Sequence, residues 1–207
     1  MYIFSRAGTI KPDHLIDGST YAVEVAAKVK AITGTTVNVY RSLYGQPLGT
    51  VLWTVRAETQ AELADLAAKL AADPGYVTMT QKGASLFTGN HVTALGSIVS
   101  STLLAPKPIV AAVQAVIANG KIAKAMEFGV AAQALVAKIS GLPTAFVSDT
   151  FGTFGGVRWL TGADTMEQID HLQQVMATDK SYQALVETAG DLFIEGSGQN
   201  GLIQKIN

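Results

Sequence analysis

The fold is decided by two stretches of sequence, which read TVLWTVRAETQAELADLAAKLAADPGY at residues 50–76 and GVRWLTGADTMEQIDHLQQVMATDKSY at residues 156–182. They align without a gap at an offset of 106 positions, and the same register continues to a Leu-Phe pair at the end of each segment. Identical residues at this offset are Val51/Val157, Trp53/Trp159, Ala57/Ala163, Thr59/Thr165, Leu66/Leu172, Ala71/Ala177, Asp73/Asp179, Tyr76/Tyr182, Leu86/Leu192 and Phe87/Phe193. So regular a recurrence indicates an internal duplication.

The flanking residues predict the same succession of elements in both halves. Glycine follows an Ala- and Val-rich helical stretch at Gly34 and again at Gly141, as expected just past a helix C-terminus. Thr59 and Thr165 begin capping boxes, and Asp73 and Asp179 are suited to cap a short helix. The predicted strands are 2–7, 35–44, 50–56 and 91–100, then 108–117, 143–151, 157–161 and 201–206; the first helix of each half is predicted at 21–32 and 121–139.

Each half is therefore expected to be a βαββαβ unit with an additional short helix, the ferredoxin-like order. The predicted fold class is α+β: two tandem ferredoxin-like repeats, residues 1–103 and 104–207, whose four-stranded antiparallel sheets pack face to face as an intrachain α+β barrel. Face-to-face packing is expected because helices cover only one face of each sheet.

Composition excludes several classes of function. A net charge of −1 with dispersed Lys and Arg argues against nucleic-acid binding, and the absence of cysteine excludes disulfides and thiolate chemistry. The N-terminal residues do not resemble a signal peptide, and the apolar region 96–119 is too interrupted to span a membrane. We expect a cytoplasmic protein without a membrane partner, and the low charged content of 15% is compatible with a homo-oligomer.

With its capping-box helix and its Asp-x-x-Tyr short helix followed by Leu-Phe, the chain resembles the dimeric α+β barrel superfamily in a fused tandem form. The resemblance implies a ligand pocket between the sheet and the flanking helices and loops. The superfamily includes cofactor-independent quinol-forming monooxygenases, muconolactone isomerases, haem-degrading enzymes, haem peroxidases and chlorite-detoxifying relatives. A shared fold does not select among these activities.

Strand alternation divides the residues that could form a site. Trp53 and Trp159 are expected in the core under the helices. The opposite faces carry polar residues that differ between the halves, which is the pattern expected of one asymmetric pocket and also of drift at a wet interface. The resulting ligand-binding candidates are Arg6, Tyr40, Ser42, Gln114, Asp149 and Arg158.

No histidine pair has metal-ligand spacing, so we expect no dedicated metal site and no required cofactor. His91, placed in the loop before the fourth strand, is the candidate axial ligand if the protein binds haem. Three hypotheses follow: a protein that binds a small hydrophobic or aromatic molecule, with cofactor-independent monooxygenase- or isomerase-like activity; a non-catalytic structural or assembly scaffold; and a haem protein.

Overall fold

The computed structural model describes residues 1–207, apart from the side chain of residue 90. The described residues form eight β-strands and six α-helices, so the chain is α+β as expected. The elements are β1 (Tyr2–Ile10), α1 (Leu15–Thr33), β2 (Asn38–Tyr44), β3 (Thr50–Ala57), α2 (Gln60–Ala72), α3 (Pro74–Gly83), β4 (Phe87–Ser101), β5 (Ile109–Val116), α4 (Ile122–Ser140), β6 (Thr144–Phe151), β7 (Gly156–Ala163), α5 (Met166–Thr178), α6 (Lys180–Glu187) and β8 (Gln199–Lys205).

The chain divides into two compact units. The first consists of Met1–Leu95 together with Gln204–Asn207, and the second of Gly96–Ile203. Both units have the element order strand, helix, strand, strand, helix, short helix. The strands β4 and β8 each contain a boundary between the units.

In the first unit, β1 and β2 both pair antiparallel with the central strand β3. The beginning of β4 lies beside β1, where the hydroxyl of Thr88 donates to the carbonyl of Thr9 at 3.2 Å. The C-terminal residues lie beside β2, since the amide of Ile206 donates to the carbonyl of Val39 at 2.9 Å. The helices cover the face of the sheet that carries Trp53.

In the second unit, β5 and β6 pair antiparallel with β7. The face that carries Trp159 packs against α4, and the cluster there includes Phe146, which is fully buried.

The helix caps follow from the sequence, with one correction. Gly34 and Gly141 end α1 and α4 in the left-handed conformation, with φ of 76° and 69°, where glycine has no Cβ to clash. The Thr59 hydroxyl accepts from the amide of Glu62 at 3.2 Å, as a capping box requires. The Glu62 carboxylate, however, accepts from the amide of Glu58, one residue before the cap, rather than from the cap itself.

The second capping box is only half formed. Thr165 caps α5 without a side-chain bond to a backbone amide, while Gln168 reaches back to the amide of Asp164 at 2.7 Å. Asp73 and Asp179 cap α3 and α6 as predicted, each accepting from the amide three residues later.

Two boundaries differ from expectation by four residues or more. Helix α1 begins at Leu15, six residues before the predicted start. Strand β4 begins at Phe87, so His91 lies within a strand and not in the loop before it.

Candidate functional site

A cavity of about 550 Å³ lies in the first unit, between its sheet and its three helices. Its volume is within the range of small-molecule binding sites. The walls come from β1, β3, β4 and Val37, which precedes β2, on one side and from α1, α2 and α3 on the other. The lining residues are mainly apolar: Phe4, Arg6, Tyr21, Val25, Val29, Val37, Trp53, Val55, Leu63, Leu66, Ala67, Leu70, Ala71, Tyr76, Val77, Thr80, Gly83, Ala84, Phe87 and His91.

The cavity exists because α2 does not pack tightly onto the sheet. The sequence predicts that Leu63 and Leu66 are buried, but both are only partly buried and line the cavity. At the corresponding positions of the second unit, Ile169 and Leu172 are 5% and 2% exposed. The same helical stripe therefore fills the core in one unit and borders a space in the other.

Residue size beside the tryptophans also differs between the units. Val39 is paired with Trp53 in the first sheet, whereas Phe146 is paired with Trp159 in the second. The ring of Phe146 stacks on Trp159 with centroids 5.1 Å apart. The smaller valine contributes less volume to the core below the cavity.

Trp53 forms part of the cavity floor and is held in one orientation. Its indole Nε1 donates to the carbonyl of Ala22 in α1 at 2.9 Å, in a buried bond. Its ring lies 5.8 Å from the ring of Phe87, which in turn makes an edge contact with Tyr21 at 5.9 Å. The aromatic side of the cavity is thus apolar and held in a defined arrangement.

His91 lies at the polar end of the cavity. Its imidazole is 5.0 Å from the ring of Phe87 and 5.9 Å from that of Trp53. The edge that carries Cδ2 and Nε2 occupies the space above Gly8, where a Cβ would come within 2.5 and 2.7 Å of these atoms. Glycine at position 8 is therefore what allows the imidazole to lie against β1.

Burial of the imidazole lowers the pKa of His91 from its ordinary value, and the positive charge of Arg6 lowers it further. Solvent still reaches the side chain, which is exposed, while the rings of Phe87 and Trp53 lie beside it at interplanar angles of 52° and 55°. The neutral imidazole is consequently favoured at neutral pH, the form that can accept a proton.

Arg6 is the charged side chain at this end of the cavity. It is paired across the sheet with Trp53, so it points to the same, helix-covered face. The sequence-based expectation that Arg6 shares the face of Tyr40 is wrong, since Tyr40 is paired with Leu52, on the other face of β3. The guanidinium lies 5.8 Å from the ring centroid of Phe4.

Tyr40 and Ser42 do not line this cavity. Tyr40 is 4% exposed, and burial raises the pKa of its phenol, an effect that the charge of Arg56 partly opposes. Ser42 uses its hydroxyl locally, donating to the carbonyl of Tyr44 at 3.3 Å. A role of these residues in ligand binding stays a prediction.

The remaining candidates belong to the second unit. Arg158 and Asp149 form an ion pair in which both side chains are largely buried. Gln114, paired with Arg158 across β5 and β7, donates from its amide to the side-chain oxygen of Gln199 at 2.7 Å. The charge of Arg158 is thus already compensated within its own sheet.

His91 is the candidate axial ligand for haem, and its packing restricts the nitrogen that it could use. The Nε2 edge occupies the space above Gly8, so a bond to iron, like proton transfer with a ligand, would use Nδ1. Among the described residues, no group of three His, Cys, Asp or Glu side chains is placed to hold a metal ion.

Sequence reasoning did not identify Trp53, Tyr21 and Phe87 as site residues, because it assigned the paired tryptophans to the core. A signal was present in the differences between the halves. The first half has Val39 where the second has Phe146, and Arg6 where the second has Val113. These differences show that the two cores are filled differently.

No protein-family model and no curated protein sequence matches the chain. Similar folds are found among solved structures. A provisionally assigned monooxygenase of Fusobacterium nucleatum superposes with a TM-score of 0.74 at 7% identity, covering 100% of this chain and 92% of that one. An anthrone oxidase-like protein gives 0.71 at 11% identity, covering 100% and 91%. A variant chlorite dismutase from Candidatus Nitrospira defluvii gives 0.55 at 11% identity, covering 98% and 90%.

These likenesses extend over essentially the whole chain, and at such low identity they define the fold and not the activity. Within the described part of the chain, no helix combines the length and apolar character needed to cross a membrane. The chain shares the α+β fold of these proteins, and a fused tandem form of the dimeric α+β barrel fits it.

Proposed function

We propose that the protein binds a small hydrophobic or aromatic molecule in the cavity of its first unit and acts on it as a cofactor-independent monooxygenase- or isomerase-like enzyme. The observation that carries the proposal is the cavity itself, with apolar and aromatic walls and a polar end formed by Arg6 and His91. Fold neighbours described as a provisionally assigned monooxygenase and as anthrone oxidase-like are in keeping with the proposed activity, and anthrone is an aromatic molecule.

The polar end offers groups for proton transfer. A neutral imidazole can accept a proton from an acidic C–H or O–H group of the ligand, and the guanidinium of Arg6 can stabilise the anion that results. Return of the proton to a different carbon gives an isomerisation. Transfer of electrons from the same anion to O₂ begins an oxygenation, without a cofactor in either case.

Binding can be tested with an uncharged aromatic probe, 2-naphthamide, whose association is followed by fluorescence of Trp53. The chain has two tryptophans, so a Trp159→Phe background leaves Trp53 as the only one. We expect saturable quenching, because Trp53 lines the cavity. Native mass spectrometry of the purified protein also shows whether a bound organic molecule co-purifies with it.

A matched pair of variants locates the binding. Ala71 lines the cavity, and Ala177 occupies the corresponding exposed position on α5 of the second unit. Ala71→Phe should weaken binding of 2-naphthamide, because the ring enters the space that the probe needs, whereas Ala177→Phe should leave it unchanged. Equal effects of the two variants, or no binding by the parent protein, would contradict the proposal and favour a non-catalytic scaffold.

Activity is tested separately by supplying anthrone, an aromatic ketone with an acidic C–H group, and measuring oxygen uptake. His91→Gln should abolish turnover while 2-naphthamide binding is retained, since glutamine preserves polarity but cannot accept the proton. Turnover unaffected by this change would exclude His91 as the base.

For the architecture, we propose that residues 1–103 and 104–207 are ferredoxin-like repeats of a tandem duplication, each supplying most of one compact unit. The recurrence at an offset of 106 residues and the common element order support this. The face-to-face arrangement of the two sheets, a cytoplasmic location and homo-oligomer formation stay predictions. The mass of the native protein tests the last of them.

A further inference from the structure

The polar end of the cavity has a definite charge. Of the residues described as lining it, Arg6 carries a full positive charge, and no aspartate or glutamate is present. The ion pairs of the described residues involve other side chains, and the contact described for Arg6 is with the ring of Phe4. The cavity thus places an arginine without a carboxylate partner beside an apolar space.

Packing does not require an arginine at this position. In the second unit, Val113 is paired with Trp159 just as Arg6 is paired with Trp53. The same sheet position therefore accepts a medium-sized apolar side chain. Both side chains are exposed, so the fold tolerates a charge here without requiring one.

His91 does not neutralise this charge, and it does not add to it. Its ring lies against β1 beside the rings of Phe87 and Trp53, and the proximity of Arg6 disfavours a second positive charge. One guanidinium with five donors in a planar fork is the group best matched to a carboxylate, which it can bind through two parallel hydrogen bonds.

We propose that the natural ligand of this cavity is a hydrophobic or aromatic carboxylate, its ring seated against Trp53 and Phe87 and its carboxylate bound by Arg6. The inference rests on the proposed function, because it requires that a ligand enters the cavity. Beyond the proposed function, it specifies that the ligand carries a carboxylate and that Arg6 selects it.

The test compares two probes of nearly equal shape, 2-naphthoate and 2-naphthamide, in the Trp159→Phe background. We expect 2-naphthoate to bind about 2- to 10-fold more tightly, because Arg6 is exposed and solvent screens its charge pair with the carboxylate. Raising the salt concentration should weaken binding of 2-naphthoate and leave 2-naphthamide unaffected.

The variant Arg6→Val copies the residue of the second unit and should fold normally, as its circular dichroism will show. It should lose the preference for 2-naphthoate while its affinity for 2-naphthamide changes little, and Arg6→Lys should restore part of the preference. The inference is overturned if the parent protein binds both probes equally or if Arg6→Val retains the preference; in these cases the proposed function survives. If neither probe binds, both proposals fall.

Discussion

Gly129 in α4 makes room for a phenylalanine ring, and adding a single methyl group there tests this directly. A Cβ at position 129 would lie 2.1 Å from Cζ of Phe146 and within 2.5 Å of two other ring atoms. Carbon atoms in contact prefer a separation of about 3.5–4.0 Å. The ring of Phe146 is fully buried and stacked on Trp159, so it has no free space to move into.

Two opposing effects determine the stability of Gly129→Ala. Alanine is favoured over glycine by about 1 kcal/mol inside a helix. Forcing extra volume into a packed core costs about 1–3 kcal/mol, and the overlap of well over 1 Å at this site places it toward the upper end of that range. We expect a net loss of about 1–2 kcal/mol in the free energy of unfolding.

The assay is urea unfolding followed by circular dichroism and by fluorescence of Trp159 in a Trp53→Phe background. The fluorescence isolates the second unit, since Trp159 contacts Phe146 and donates to the carbonyl of Gly129. With a typical urea dependence of about 1–3 kcal/mol per molar, the midpoint should fall by roughly 0.5–1.5 M.

The control is the double variant Gly129→Ala/Phe146→Val, which reproduces the Ala22 and Val39 pair of the first unit. Removing the ring relieves the overlap, so the two changes should be less costly together than the sum of each alone, by about 1–3 kcal/mol. If Gly129→Ala raises stability by about 1 kcal/mol, helix propensity dominates and the packing argument is refuted.

Three further changes follow from single contacts. Trp53→Phe removes the buried donor to the carbonyl of Ala22 and should cost about 1–3 kcal/mol, measured by urea unfolding; an unchanged midpoint would mean that water replaces the bond. Because burial lowers the pKa of His91 in the folded state, the unfolded chain binds its proton more tightly, so the contribution of His91 to stability should be full above about pH 6.5 and decline as the pH falls through that value. NMR titration should accordingly give His91 a pKa below that of a model peptide, and a higher value would reverse the sign. Asp73→Ala removes the N-cap of α3 and a contact with Lys28, with an expected loss of about 1 kcal/mol in thermal or urea unfolding; Asp73→Asn, which keeps the capping oxygen, should lose less.

Local chemistry in the sequence predicts the caps and the strand order well. The predicted helix N-caps, Asp73 and Asp179, and the predicted C-terminal glycines, Gly34 and Gly141, are all found. These roles are predictable because they depend on neighbouring backbone groups alone. The early start of α1 could not be predicted in the same way. Gly18 lies inside the helix and is unfavourable there by propensity, but it is buried against Ile10, where a Cβ would come within 2.4 Å of a side-chain carbon.

From sequence, Arg6 was a ligand-binding candidate and His91 a haem-ligand candidate. The structure places both at the cavity, and their roles there stay predictions. Their environment was not predicted, because the face to which Arg6 points depends on the register of β1 against β3. A shift of one residue in that register would place the side chain on the other face.

The sequence by itself determined the class of fold and the repeated order of its elements, since periodicity, caps and turns are properties of short segments. It did not determine that the first unit contains a cavity. Leu66 and Leu172 are the same residue in the same helical pattern, yet one borders a cavity and the other is 2% exposed. Only the tertiary structure decides this, because a cavity depends on the summed volume and exact placement of side chains from several elements that are distant in sequence.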